Sequence, residues 1–218
     1  MLSKILALFK SNPTPKDSKK QQHQVKNSTS YNRYPEIFQH VSEMADQSQW
    51  KNPSVLSFGC SSGEELKSLY DLYFPFGQLS GVDFSSDMIK LAKQKYASDP
   101  LQFYESKNFN PTSKYDIIFC MSVLCSWPDT RDLESCEDVY PFVRFDEVVK
   151  EMDALLNENG ILVIYNSNFR FTDTDASKKY SPIEIPGYTE SGFVHKFDSS
   201  NQRVNSPYPY SIFRKTIA

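Results

Sequence analysis

Val55-Leu56-Ser57-Phe58-Gly59-Cys60-Ser61-Ser62-Gly63-Glu64-Glu65 is the stretch on which the fold turns. Val55 to Phe58 is a short apolar run that stops at Gly59, the pattern of a buried strand. A helical pattern begins at once at Glu64 and runs to Tyr73, with Leu66, Leu69, Tyr70 and Tyr73 on one face. Between the two lie Cys60, Ser61 and Ser62, bracketed by glycines. Glycine lets the backbone turn tightly and approach a ligand, and the amides of a helix start point at its negative group. Alone, a Gly-x-x-x-Gly turn serves packing as often as binding.

Working outward, the same strand–helix alternation continues. Ile37, Val41, Met44 and Ala45 recur at helical spacing after Pro35, a residue tolerated in a first helical turn. Leu79 to Asp83 reads as a second strand. Asp87 to Tyr96 reads as a helix with Met88, Leu91, Ala92 and Tyr96 inward. Leu101 to Tyr104 is a third, short strand. Tyr115 to Cys120 is almost continuously apolar, as a parallel strand covered on both faces should be. Phe145 to Leu156 is amphipathic, Asn159-Gly160 reads as a left-handed helix stop, and Ile161 to Tyr165 is another buried strand. Residues 193–197, 202–204 and 210–213 read as antiparallel strands closing one edge. The expectation is an α/β Rossmann-like doubly wound sheet, mostly parallel with an antiparallel C-terminal hairpin.

Asp83 ends the second strand about twenty residues beyond the glycine turn, where a carboxylate can accept hydrogen bonds from ribose hydroxyls. Its structural alternative is to cap the next helix, a task open to Ser85, Ser86 or Asp87. A dinucleotide fingerprint is absent, because Ser61 stands where its second glycine would be. No Gly-Lys-Ser/Thr follows the turn either, so a P-loop is absent. A single-adenosine cofactor with a small carboxylate tail fits better than a pyrophosphate.

These residues resemble the first motif of class I S-adenosylmethionine-dependent methyltransferases, and the Gly-Cys-Ser-Ser-Gly-Glu-Glu wording is most similar to the chemotaxis-receptor glutamate methyltransferase branch. Gly81-Val82-Asp83-Phe84-Ser85 resembles the second motif, Lys107-Asn108-Phe109 the third, and Tyr115 to Leu124 the fourth. The resemblance implies S-adenosyl-L-methionine as cofactor. It implies Gly59, Cys60, Ser61 and Gly63 against the methionine part, and Glu64 or Glu65 facing the ammonium. It implies Asp83 on the ribose, Phe84 and Met88 flanking the adenine, and Asn108 and Phe109 at its amino edge. Cys120, Met121 and Ser122 then end strand four beneath the sulfonium. Plain core packing is the alternative for the apolar ones. The chemotaxis branch has an Arg-Asn pair after strand four, where this chain has Met121-Ser122. It also carries a separate helical N-terminal domain, for which residues 1–30 leave no room.

The acceptor is expected at the N-terminal helix and the loops after strands four and five. That places Tyr31, Arg33, Trp127, Asn166, Asn168 and Arg170 as substrate contacts. The catalytic base is unassigned, with His40, His195 and Tyr34 as weak candidates. The expected function is methyl transfer to a small-molecule or saccharide acceptor. The alternatives are a protein carboxyl methyltransferase and a non-catalytic cofactor-binding domain.

Bulk properties bound the rest. The 218 residues suit one domain and a tail, with 39% hydrophobic and 14% aromatic residues, enough for a real core. Residues 1–30 hold six lysines against Asp17 alone and read as a flexible basic tail, with residues 31–218 as the methyltransferase domain. The formal net charge of −3 therefore leaves −8 on the body, a poor match for nucleic acid. Met1 to Lys10 has an apolar face between lysines, a weak peripheral membrane contact or simply a frayed end. No apolar run approaches the ~20 residues of a membrane span. Cys60, Cys120, Cys125 and Cys136 lack metal-ligand spacing, and their scatter suits a reducing cytoplasm.

Overall fold

The computed structural model describes residues 29–216, so the expectations for the basic tail and for residues 1–10 lie almost wholly outside the described residues. The described chain divides into two compact units, residues 29–119 and 120–216.

In the first unit, β1 (Ser54–Phe58), β2 (Gln78–Asp83), β3 (Gln102–Glu105) and β4 (Tyr115–Met121) follow the order β3-β2-β1-β4. Every pairing there is parallel, with Val55 opposite Leu79 on one side and Ile117 on the other. Helix α1 (Pro35–Gln47) buries Ile37, Phe38, Val41, Met44 and Ala45, the expected stripe with Phe38 added. Phe38 meets Phe119 edge-on with ring centroids 5.4 Å apart. Helix α2 (Glu64–Ser68) passes into a π-helical turn (Leu69–Tyr73) and buries Leu66 and Leu69, while Tyr70 and Tyr73 stay partly exposed.

Helix α3 (Ser86–Lys95) corrects one expectation. Ile89 and Ala92 are its buried residues, while Leu91 is 45% exposed. The buried stripe therefore runs Ile89, Ala92, Tyr96: the last two are as expected, and Ile89 stands in place of Met88 and Leu91. Between β3 and β4 there is only a 3₁₀ turn (Ser106–Asn108) and a loop.

In the second unit, α4 (Phe142–Leu155) buries Phe145, Val148, Val149 and Met152 at i, i+3, i+4 and i+7. β5 (Leu156–Tyr165) begins directly after it. Asn159 does adopt a left-handed φ of 62°, but inside β5 rather than as a helix stop. β9 (Ile212–Lys215) lies antiparallel between β5 and β6 (Tyr180–Ile183). β6 escapes the sequence reading because it is a four-residue edge strand carrying Pro182. Of the residues expected to close the sheet edge, Ile212 and Phe213 join the sheet in β9, whereas the other two segments form a separate ribbon, β7 (Lys196–Phe197) against β8 (Arg203–Val204). Phe169 is the hub of this unit's core, within 5.3–6.3 Å of the rings of Tyr140, Phe142, Phe145 and Phe197. The whole is a Rossmann-like α/β fold, mostly parallel with antiparallel C-terminal strands.

Candidate active site

The turn at the carboxyl end of β1 is held by β2. Gly59 and Cys60 both donate their amides to the carbonyl of Val82, at 2.8 and 3.0 Å. Gly59 and Gly63 have φ of 81° and 91°, and Ser61 takes a left-handed φ of 48° between them. Ser61 thus adopts, without being glycine, the kind of conformation that usually favours one. Its amide donates to Asp83 Oδ2 at 2.9 Å, which holds that conformation in place. Gly63 is needed for packing as well, since a Cβ there would lie 2.8 Å from the Phe103 ring.

Asp83 is buried, and Ser85 donates its amide to Oδ1 at 2.8 Å. Burial raises its pKa, against the lowering effect of the Ser85, Ser61 and Phe84 amides. The helix cap falls to Ser85, whose hydroxyl accepts from the Met88 amide at 3.4 Å. Asp83 is therefore free of the capping task. A carboxylate offers about four acceptor positions, and the backbone amides on Asp83 do not fill them all. Phe84, the next residue, is 43% exposed, and Met88 is partly buried on the first turn of α3.

The two glutamates after the turn differ sharply. Glu64 pairs with Lys95 at 2.6 Å and accepts from the Ser62 hydroxyl at 2.7 Å. Burial alone would raise its pKa, but these bonds bring it below the usual value. Among the described residues Glu65 has only the Ser57 hydroxyl as a hydrogen-bond partner, at 2.8 Å, with Arg33 farther off. Burial pushes its carboxyl up to about 7, more than Ser57 and Arg33 offset. Glu65, not Glu64, is the under-compensated anion of the turn.

Phe109 is buried, its ring 5.6 Å from that of Tyr104 and stacked on Tyr115 at 6.4 Å. Asn108 is exposed and shares with Phe109 the lining of a cavity of about 600 Å³. That cavity also takes in Ser54, Gln78 and Tyr115, the first residues of β1, β2 and β4. It therefore reaches the strand ends opposite the glycine turn. Tyr31 donates to Asp71 at 3.2 Å, Arg33 lies over the Tyr34 ring at 5.1 Å, and His40 is partly exposed on α1.

In the second unit, Cys120 and Met121 are buried, and Ser122 turns with a φ of 58°. Its hydroxyl accepts from Asn166 Nδ2 at 3.0 Å. Asn166, also left-handed at 56°, accepts through Oδ1 from the amides of Phe193 and Val194, at 3.0 and 3.1 Å. Gly192 makes this corner possible: its φ is 109°, and a Cβ there would lie 2.5 Å from Asn166 Cα. Asn168 is fully buried and joins Ser126, Thr130 and the carbonyl of His195. Arg170 is paired with Asp173 at 2.8 Å. The Asn166 and Asn168 amides are thus spent on the chain's own loops. His195 is exposed, with Nε2 2.9 Å from Arg203.

Exposed groups take their place at this end. Phe193 is 63% exposed and meets Trp127 edge-on at 5.5 Å. An open cavity of about 390 Å³ is lined by Tyr165, Tyr188, Thr189, Glu190 and Phe193. Phe193 could be found in the sequence only as part of a strand, where alternation says nothing of this role. No group of three or more metal-ligating side chains occurs among the described residues. No helix among them is long and apolar enough to cross a membrane.

A family model described as a methyltransferase domain matches residues 13–187. Putative methyltransferase 235L of Invertebrate iridescent virus 6 is 34% identical over 101 residues, 44% of this chain and 37% of that protein. Malonyl-acyl-carrier-protein O-methyltransferase 1 of Ilyobacter polytropus is 27% identical over 107 residues, 46% of this chain and 39% of that protein. The matched stretch is under half the length of either curated relative. Among solved structures, TehB from Haemophilus influenzae is 16% identical with a TM-score of 0.47, covering 81% of this chain and 62% of that one.

Proposed function

The chain belongs to the methyltransferase domain family, and from that premise we propose that it transfers the methyl group of S-adenosylmethionine to a small-molecule or saccharide acceptor. The cofactor, when bound, supplies a methyl group activated by its sulfonium for in-line displacement. The residues present fit it, and the observation that carries the reading is Glu65. A largely desolvated carboxylate whose hydrogen bond comes from one hydroxyl calls for a cation, and the amino group of a methionine moiety is one.

Glu65 would hold that ammonium, while Asp83 would accept from the ribose hydroxyls through its remaining acceptor positions. Gly59 to Gly63 would let the backbone lie against the methionine part. Phe84 offers an exposed ring beside Asp83 for the adenine, with Met88 next to it. Asn108 remains available for the adenine's amino edge, whereas the Phe109 ring is engaged in packing.

For the acceptor, the open cavity of about 390 Å³ beside Phe193 is the candidate seat. Trp127 and Phe193 would supply an apolar wall. Asn166, Asn168 and Arg170 would shape that wall rather than touch the acceptor. A base, if one is required, would come from an exposed group such as His195. The malonyl-carrier-protein relative keeps carboxyl methylation as the second reading. Four free cysteines suit a cytoplasmic location.

The test is methyl transfer from labelled cofactor to a panel of hydroxyl, amine and carboxylate acceptors. Base-stable product supports ether or amine methylation, and base-labile product the carboxyl ester. Tight cofactor binding with no transfer to any acceptor would leave a non-catalytic binding domain.

A further inference from the structure

Lys196 is an unusual lysine. It is 7% exposed, and among the described residues no carboxylate lies within ion-pair distance of its Nζ. Its partners are neutral: the Ser167 carbonyl at 2.5 Å, and the Ser167 hydroxyl and Ser191 carbonyl at 3.5 Å. The Tyr208 ring centroid is 5.8 Å from Nζ, which favours a cation. An ammonium has three hydrogens to place, and only one of these oxygens is close. Burial accordingly brings the lysine down to about 7, with the Cys125 thiol and Glu190 acting weakly the other way.

Lys196 lines a cavity of about 210 Å³ together with Ser191, His195 and Tyr208. Ser191 is 1% exposed, and its hydroxyl has no hydrogen-bond partner among the described residues. Two buried donors with unmet capacity therefore share one cavity. Glu190, Gly192 and Phe193 line both this cavity and the open one assigned above to the acceptor.

We infer that this cavity binds an anionic group, a carboxylate or a phosphate, carried by the methyl acceptor. The anion would replace the two long 3.5 Å contacts of the Lys196 ammonium and take the proton of the Ser191 hydroxyl. A buried cation without an ionic partner is costly, and a paired, hydrogen-bonded one is much less so. Glu190 is exposed, so water screens its repulsion, and the Arg203–His195 pair on the β7–β8 ribbon is of favourable sign. That the anion belongs to the acceptor rests on the methyl-transfer reading. The anion site itself does not.

The test uses the full chain with its lysines labelled at Cε, followed by NMR against pH in chloride, acetate and phosphate. The Lys196 resonance is the one absent from Lys196→Met. In chloride its midpoint should lie near 7. Acetate or phosphate should raise that midpoint by about one pH unit, a roughly tenfold preference of the anion for the protonated lysine. A response to acetate alone marks a planar carboxylate, and a response to phosphate a tetrahedral oxyanion. Ser191→Ala keeps the lysine and should cut the affinity for the responding anion about threefold or more, roughly the worth of a modest hydrogen bond. An identical midpoint in all three salts overturns the inference, as does unchanged anion affinity in Ser191→Ala. All of this is read without cofactor. A chain that shows the shift but transfers no methyl keeps the anion site and loses the methyl-transfer reading. One that methylates without the shift does the reverse.

Discussion

Glu65 and Lys196 are mirror images. Each is an ionisable side chain withdrawn from water, each is held by neutral oxygens, and burial brings each to about 7 from opposite sides. They differ in how they are built. Glu65 is fixed by residues close to it in sequence, eight positions away at Ser57. Lys196 reaches back 29 positions to Ser167, across the loops that follow β5. The first charge belongs to a turn that folds locally. The second exists only once distant loops have closed. A ligand of opposite charge relieves both, so each marks where binding free energy can be recovered from a folding cost.

The largest effect should come from Asp83→Ala. It removes two charge-assisted hydrogen bonds that hold the turn as well as the proposed acceptor for ribose. Cofactor affinity by calorimetry should fall about a hundredfold, roughly 3 kcal/mol, with the circular dichroism of the fold retained. Unchanged affinity would sink the ribose assignment. Glu65→Gln should come next, lowering affinity about tenfold, the loss of one charge-assisted bond.

The same variant breaks the mirror in a second way. Glu65 keeps its proton longer when folded than when unfolded. Its contribution to stability is therefore full below about 4.5 and lost as pH rises through about 7. Lys196 gives up its proton earlier when folded. Its contribution is full above 10.5 and lost as pH falls through about 7. Taken together, these two contributions are smallest near neutrality. Glu65→Gln should raise the Tm of the cofactor-free chain at pH 8, and Lys196→Met should raise it at pH 6. Each gain is expected to be about 2 kcal/mol, the usual scale for a poorly satisfied buried group. Melting curves across pH that show no such opposite gains would remove the symmetry. The smallest effect is reserved for Glu64→Gln. Its partner Lys95 is largely solvated, so stability should change by under about 1 kcal/mol and cofactor affinity by less than about twofold.

Much of the first unit could be read from sequence because its signals are local. An apolar run, a glycine turn and a helix start occupy eleven consecutive residues, and Asp83 sits at the end of the next strand. What failed there was a matter of one position. Leu91 and Ile89 are both apolar on the same helix, and only packing against the sheet decides which goes in. The two glutamates were likewise indistinguishable until Lys95, 31 positions from Glu64, claimed one of them. In the second unit the decisive partners are remote. Asn166 and Asn168 looked like ligands because polar residues after a buried strand often are. Their amides instead tie down residues 193–195 and 126–130. Lys196 in Val194-His195-Lys196-Phe197 reads as an ordinary outward residue of a strand, and nothing local says that Ser167 and Ser191 will enclose it.

Gly192 gives this end of the molecule a mechanical character. Its missing side chain is the clearance through which the loop seats against Asn166, the residue that follows β5, and no larger residue has room there. A single added methyl group would act as a wedge against Asn166, in a residue that lines both neighbouring cavities. Gly192→Ala should therefore disturb this loop while leaving the turn at Gly59 to Gly63 chemically unaltered.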